Sequence, residues 1–160
     1  MGFAPGGPDS VLLHLTEDEQ QILTSLLYSV LEALAEPEDS DGDALRQRWF
    51  PEAYPDDTEA AEQFRAKAEA GLMRGKRTNA ASCLATLDVE ADDGTRVLNP
   101  DEATAWALAL NDIRLALGTR LGIGGDDDGE TAPADADVDA ALDLYDWLTW
   151  MQETLVRSLP

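Results

Sequence analysis

Few residues of this chain could do chemistry, and their spacing keeps them apart. In 160 residues Cys83 is the one thiol and His14 the one imidazole. One cysteine excludes an intramolecular disulfide, and one histidine excludes a His-rich metal site. His14 has no cysteine near it in sequence, and its setting in Val11-Leu12-Leu13-His14-Leu15 gives it an edge or packing role. Asp39-Ser40-Asp41-Gly42-Asp43 opens like a calcium loop, but the glycine is misplaced and Phe50 stands at the twelfth position, where a bidentate glutamate is needed. A solvated acidic run is the reading taken. Gly122-Ile123-Gly124-Gly125 follows a helix and enters Asp126-Asp127-Asp128, the wrong field for a phosphate. No carboxylate dyad stands out. The chain is therefore read as a non-enzyme with no catalytic residue, no metal and no cofactor.

Cys83 has two readings. It lies on the helical stripe Lys76, Asn79, Cys83, Leu87. There it packs as a small apolar residue. Alternatively it is a redox thiol whose thiolate is favoured by Lys76 or Arg77. Alone, such a thiol is limited to a mixed disulfide, an intermolecular disulfide or a sulfenic acid.

Charge is the strongest compositional signal: 33 acidic against 11 basic residues, for a net charge of −22. That field repels DNA and anionic lipid at long range. Duplex binding rests on basic side chains that displace counterions, so direct DNA recognition is not expected. The acids cluster: Glu36 to Asp43 holds five and Gly122 to Asp139 holds seven, with no base in either stretch. Only Arg65 to Arg77 runs the other way. Arg65, Lys67, Arg74, Lys76 and Arg77 face Glu69 alone, a net of +4. These five either pair with acids at helical spacing, such as Glu59, Glu62 and Glu69, or meet an anionic partner surface. No run approaches the ~20 apolar residues of a membrane span. Met1 to Ser10 lacks the basic and apolar regions of a signal peptide. A cytoplasmic protein without membrane contact is expected.

The elements that must position these residues are mostly helices. Met1 to Asp9 is Gly/Pro-rich and reads as a disordered terminus, residues 1–9. Residues 10–160 read as one helical domain. Val11 to Leu15 suits a strand. Thr16-Glu17-Asp18-Glu19 is a capping box, and Ile22, Leu23, Leu26, Leu27, Val30, Leu31 and Leu34 follow at helical spacing. Asp43 to Trp49 reads as a short helix, with Phe50 and Tyr54 pinning the turn after it. Asp56-Asp57-Thr58-Glu59 caps a third helix. Gly71 and Gly75 predict a break there, with a second piece from Gly75 to about Leu87. Arg96 to Leu98 is a second strand, and the two lone strands are expected to pair. Asn99-Pro100-Asp101-Glu102 is a strong helix start, and Gly122 marks the stop. That helix is apolar on two sides and is read as the central one. Residues 122–137 read as a mobile acidic loop. A last helix runs from about Asp137 to Leu159. The fold expected is mainly α: a compact bundle of about five helices with a minimal two-stranded β-ribbon. The last helix carries Trp147 and Trp150 beside its apolar stripe, which makes both candidates for partner contact as well as for core.

Three stretches are distinctive as sequence: Leu110-Asn111-Asp112-Ile113-Arg114-Leu115-Ala116-Leu117-Gly118-Thr119-Arg120-Leu121-Gly122-Ile123, Tyr145-Asp146-Trp147-Leu148-Thr149-Trp150-Met151-Gln152-Glu153-Thr154-Leu155-Val156, and Trp49-Phe50-Pro51-Glu52-Ala53-Tyr54. With the capped first helix they resemble the actinobacterial AosR-type family of oxidative-stress transcriptional regulators, formerly a family of unknown function, over nearly all of Val11 to Leu159. The resemblance implies a redox-responsive regulator of an actinobacterial cytoplasm, linked to thiol and cysteine metabolism, with no catalytic residues to carry over. An intramolecular disulfide switch needs two cysteines, and this chain has Cys83 alone. The −22 charge and the Trp-rich helix favour action through protein contacts, with a sigma-factor or polymerase-type partner, and leave a homodimer open. Two other readings stand beside this one: a small helical ligand-binding or enzymatic domain, and an interaction adaptor without redox role.

Overall fold

The computed structural model describes residues 2–35, 59–122 and 136–160. The order of elements is β1 (Gly2–Gly7), β2 (Ser10–His14), α1 (Glu17–Ala35), α2 (Glu59–Leu87), β3 (Thr95–Leu98), α3 (Pro100–Arg120) and α4 (Ala136–Ser158). The mainly helical reading holds, with two differences. The sheet has three antiparallel strands in the order β1-β2-β3, not two. Four helices are present among the described residues. The short helix read at Asp43 to Trp49, the turn at Phe50 and Tyr54, and most of the acidic loop 122–137 lie outside those residues.

The extra strand corrects the disordered terminus expected for residues 1–9. Phe3 pairs with Leu13 and Pro5 with Val11 across β1 and β2. Phe3 enters the core edge-on to Trp106, the ring centroids 6.0 Å apart. Its N–H, on the free edge of β1, donates to Thr154 Oγ1 of α4 at 3.3 Å. Pro5 has no N–H to leave unpaired, which suits an edge strand. A Gly/Pro-rich composition hid one anchoring aromatic, and that anchor decides the local structure.

The two expected strands pair as anticipated, Val11 with Leu98 and Leu13 with Arg96. Alternation sends Phe3, Val11, Leu13 and Leu98 inward. Both capping boxes form: Thr16 Oγ1 accepts the Glu19 N–H while the Thr16 N–H donates to Glu19 Oε2, and Asn99 and Glu102 reciprocate in the same way. Leu121 and Gly122 close α3, with Gly122 in the left-handed region.

α3 is central, as expected, packing on α1, α2, α4, β2 and β3, although Leu108, on its second apolar side, is 50% exposed. Ala103, Trp106, Leu110 and Ile113 are buried on it, against Leu23 and Leu27 of α1, Cys83 and Leu87 of α2, and Leu148, Met151 and Leu155 of α4. The break expected in α2 is absent. One helix of 29 residues, about 43 Å long at ~1.5 Å per residue, runs through Gly71 and Gly75. Each glycine costs only about 1 kcal/mol against alanine in a helix, and neither supplies a reason to leave it.

Candidate functional site

Cys83 sits on the inner face of α2, fully buried with Ala80 and Leu87. Thr86 Oγ1 donates to the Cys83 carbonyl at 2.7 Å, and the indole N–H of Trp106 donates to Thr86 Oγ1 at 2.9 Å. Burial pushes the thiol pKa far above its usual value, with a backbone hydrogen bond opposing weakly. A thiol kept protonated and out of solvent is a packing residue in the folded state. The cations expected to favour its thiolate, Lys76 and Arg77, are engaged elsewhere.

The five basic residues of Arg65 to Arg77 divide into two sets. Lys76 forms an ion pair with Asp112 of α3 at 2.5 Å, and both side chains are largely buried. Burial raises the Asp112 pKa, and Lys76 works against that rise. Arg77 donates through Nη2 to the Leu34 carbonyl at 3.0 Å, in the last turn of α1. A cation there also meets the negative end of the α1 dipole. These two neighbours bolt α2 to α3 and α1. Lys67 and Arg74 are exposed. Arg65 belongs to α2, with its side chain outside the described set. Around them no described side chain of α2 is buried: Phe64 is 69% exposed and Leu72 54%. Among the described residues Lys67 and Arg74 thus share an exposed helical surface with two large apolar side chains.

The tryptophans also separate. Trp147 is half-buried against the core. Trp150 is 44% exposed, with its ring lying over Gly2, where an added Cβ would stand 2.8 Å from the ring edge. Gly2 also has φ 121°, so the contact depends on glycine. Trp150 thus sets a ring edge of α4 against β1 and leaves much of its surface to solvent.

Two clusters escaped the sequence reading. Arg114 joins α3 to α4: Nε donates to Thr149 Oγ1 at 3.1 Å, Nη1 to Gln152 Oε1 at 2.5 Å, and the guanidinium lies 5.2 Å from the Tyr145 ring centroid. These partners are all neutral; the counter-charge of Asp112 is Lys76. Nothing in helical spacing alone marks this seam. The second cluster is an open cleft of about 780 Å³ where β2, the start of α1 and the α2–β3 turn meet. His14 lines it, with Nδ1 2.7 Å from Thr95 Oγ1. Arg96 lines it too, buried and holding the Leu87 and Gly94 carbonyls and Gln20 Oε1. Strand alternation in Thr95-Arg96-Val97-Leu98 could have found Arg96, since an inward Leu98 requires an inward Arg96. Among the described residues no group of three His, Cys, Asp or Glu side chains is placed to hold a metal ion. No described helix is long and apolar enough to cross a membrane.

Comparison with known proteins bears on what these surfaces serve. The model of a domain of unknown function, DUF2017, matches residues 2–159. The chain belongs to the DUF2017 family. The oxidative stress regulator AosR of Mycobacterium tuberculosis is 36% identical over 132 residues, covering 74% of this chain and 59% of that protein. The oxidative stress regulator AosR of Mycobacterium bovis matches to the same extent. The resemblance read from the three sequence stretches therefore holds. The matched stretch spans only 59% of these relatives' length. No solved structure matches the chain.

Proposed function

We propose that this DUF2017 chain is a regulator of the oxidative-stress response that acts through protein–protein contacts, with the exposed half of α2 as its contact face, rather than by gripping DNA. One observation carries the reading: on a chain of net charge −22, Lys67 and Arg74 stand exposed, among the described residues, on the same stretch of helix as Phe64 and Leu72. Apolar anchors ringed by charge are the usual make-up of a contact surface. The strip suits an acidic patch, and the acidic remainder suits a basic one, as on a sigma-factor or polymerase-type partner. The names of the relatives support the regulatory role. Cys83 enters as a core residue, and any thiol switch at that position would require the core to open first.

The test is complementation in a host strain lacking the gene. A chain carrying Phe64→Ala, Leu72→Ala, Lys67→Glu and Arg74→Glu should fold as the wild type does yet fail to restore the transcriptional response to peroxide. Full restoration by that variant would overturn the contact face. Specific protection of a promoter by the purified wild-type chain alone would overturn the exclusion of DNA.

A further inference from the structure

The cleft at the end of the sheet carries a pattern that the contact face does not use. Arg96 is 6% exposed and forms part of the cleft lining. Its Nη2 is fully engaged, by Gln20 Oε1 at 2.8 Å and the Leu87 carbonyl at 3.2 Å. Its Nη1 has one long bond, 3.4 Å to the Gly94 carbonyl. Its Nε–H is buried and meets no acceptor among the described residues. A guanidinium carries five N–H donors; the Nε–H is closed off by burial, but Nη1, with one long bond for its two N–H groups, keeps a donor to spare for an acceptor in the cleft.

The walls have the opposite character. Glu17, Asp88, Glu90, Asp92 and Asp93 line the cleft against the single guanidinium. An anion such as phosphate meets five carboxylates there and is repelled. A simple diamine satisfies the carboxylates and does nothing for Arg96. The pattern asks for one acceptor group beside an excess of positive charge on the same small molecule. The frame is also fixed in advance. The Leu15 N–H donates to the Gly94 carbonyl at 3.0 Å. Gly94 has φ 74°, and an added Cβ would come within 2.3 Å of the Leu15 carbonyl oxygen. Asp93 Oδ1 accepts the Thr95 N–H at 3.0 Å. The turn that bears the acids is thus pinned to β2 without any ligand.

We propose that this cleft binds a small cationic zwitterion of the basic amino-acid type, its carboxylate taken by Arg96 and its positive groups by the carboxylates of the α2–β3 turn. The site lies apart from the exposed half of α2, so it stands or falls independently of the partner reading.

Isothermal titration of the purified chain tests it, with L-lysine and L-arginine as probes and 1,5-diaminopentane and acetate as controls. The amino acids should bind about tenfold tighter than the diamine, the effect of one additional charge-assisted hydrogen bond to Arg96, and acetate should not bind. Glu90→Gln with Asp92→Asn, both on an exposed turn, should keep the melting temperature and weaken lysine binding by about tenfold or more. Arg96→Lys should weaken it as well. Should that variant unfold, the double carboxylate variant still decides the matter. The Phe64→Ala, Leu72→Ala chain should bind lysine as the wild type does. No saturable heat with either amino acid at millimolar concentration, equal binding by the diamine, or an unchanged affinity in the carboxylate variant would each overturn the proposal.

Discussion

From Ala80 to Leu87, α2 turns Ala80, Cys83, Thr86 and Leu87 into the core, and just before that stretch Lys76 and Arg77 tie it to α3 and α1. From Glu62 to Leu72 the same unbroken helix leaves Phe64 and Leu72 in solvent. An isolated helix of that length is marginal in water, because nucleation is costly and few bonds return on it. The packed half, tied to α3 and α1, holds in place the helix that the exposed half continues. The contrast shows that apolar content does not decide the use of a helix face. Neighbours do: α3 and α1 cover one half of α2, and no described element covers the other.

Substitutions should register this division as a falling series. The largest effect belongs to Trp106→Ala, which empties the space beside Phe3 and strips Thr86 of its indole donor. A loss of about 3–5 kcal/mol is expected in denaturant unfolding. Next comes Lys76→Met, which leaves Asp112 buried without its counter-charge. About 3 kcal/mol should be lost near neutral pH.

The same pair sets a pH signature. Burial raises the Asp112 pKa in the folded state above the ordinary carboxylate value of ~3.9. The folded chain then holds that proton more tightly than the unfolded chain does. The associated stability is complete below the ordinary value and is lost as pH rises through the raised one. Asp93 runs the other way: the Thr95 N–H bonded to its carboxylate lowers its pKa, so its contribution is present above the ordinary value and fades as pH falls. Thermal melting of wild type beside Asp112→Asn should show the wild type losing ground as pH rises. Beside Asp93→Asn it should lose ground as pH falls. Parallel curves for both variants would contradict this account of the two carboxylates.

Cys83→Ser should cost about 1–3 kcal/mol, the range for a buried hydroxyl that finds no good partner. A thiol reagent should label wild-type Cys83 only at the rate at which the chain opens, and fast labelling under native conditions would refute the burial described here. The smallest change in stability belongs to Phe64→Ala and Leu72→Ala, within about 0.5 kcal/mol each as for other surface positions. A larger loss at Phe64 would mean that the free half of α2 is held by packing after all.

Much of this division was readable before the structure. Capping boxes at Thr16 and Asn99, the pairing of Val11 to Leu15 with Arg96 to Leu98, and the central place of α3 follow from local chemistry and periodicity. The β1 strand did not, because Phe3 is one residue in a run of glycine and proline and its anchor, Trp106, lies 103 positions away. The continuity of α2 did not either, since glycine weakens a helix without ending it. Lys76 and Arg77 looked like the rest of the basic strip because a net charge over thirteen residues says nothing about which side chains cross to a neighbouring helix. The Arg114 seam and the cleft at Arg96 are assembled from elements far apart in sequence, and only the strand alternation at Arg96 gave an early sign.

Photo-crosslinking in cells under peroxide tests the central claim most directly, with the crosslinking side chain placed at Phe64 and, as a comparison, at Leu108 on the exposed side of α3. The account predicts a discrete protein adduct from position 64 that disappears when Lys67 and Arg74 are reversed in charge, and none from position 108. An adduct from position 108 alone, or one from position 64 indifferent to the charge reversal, would contradict it.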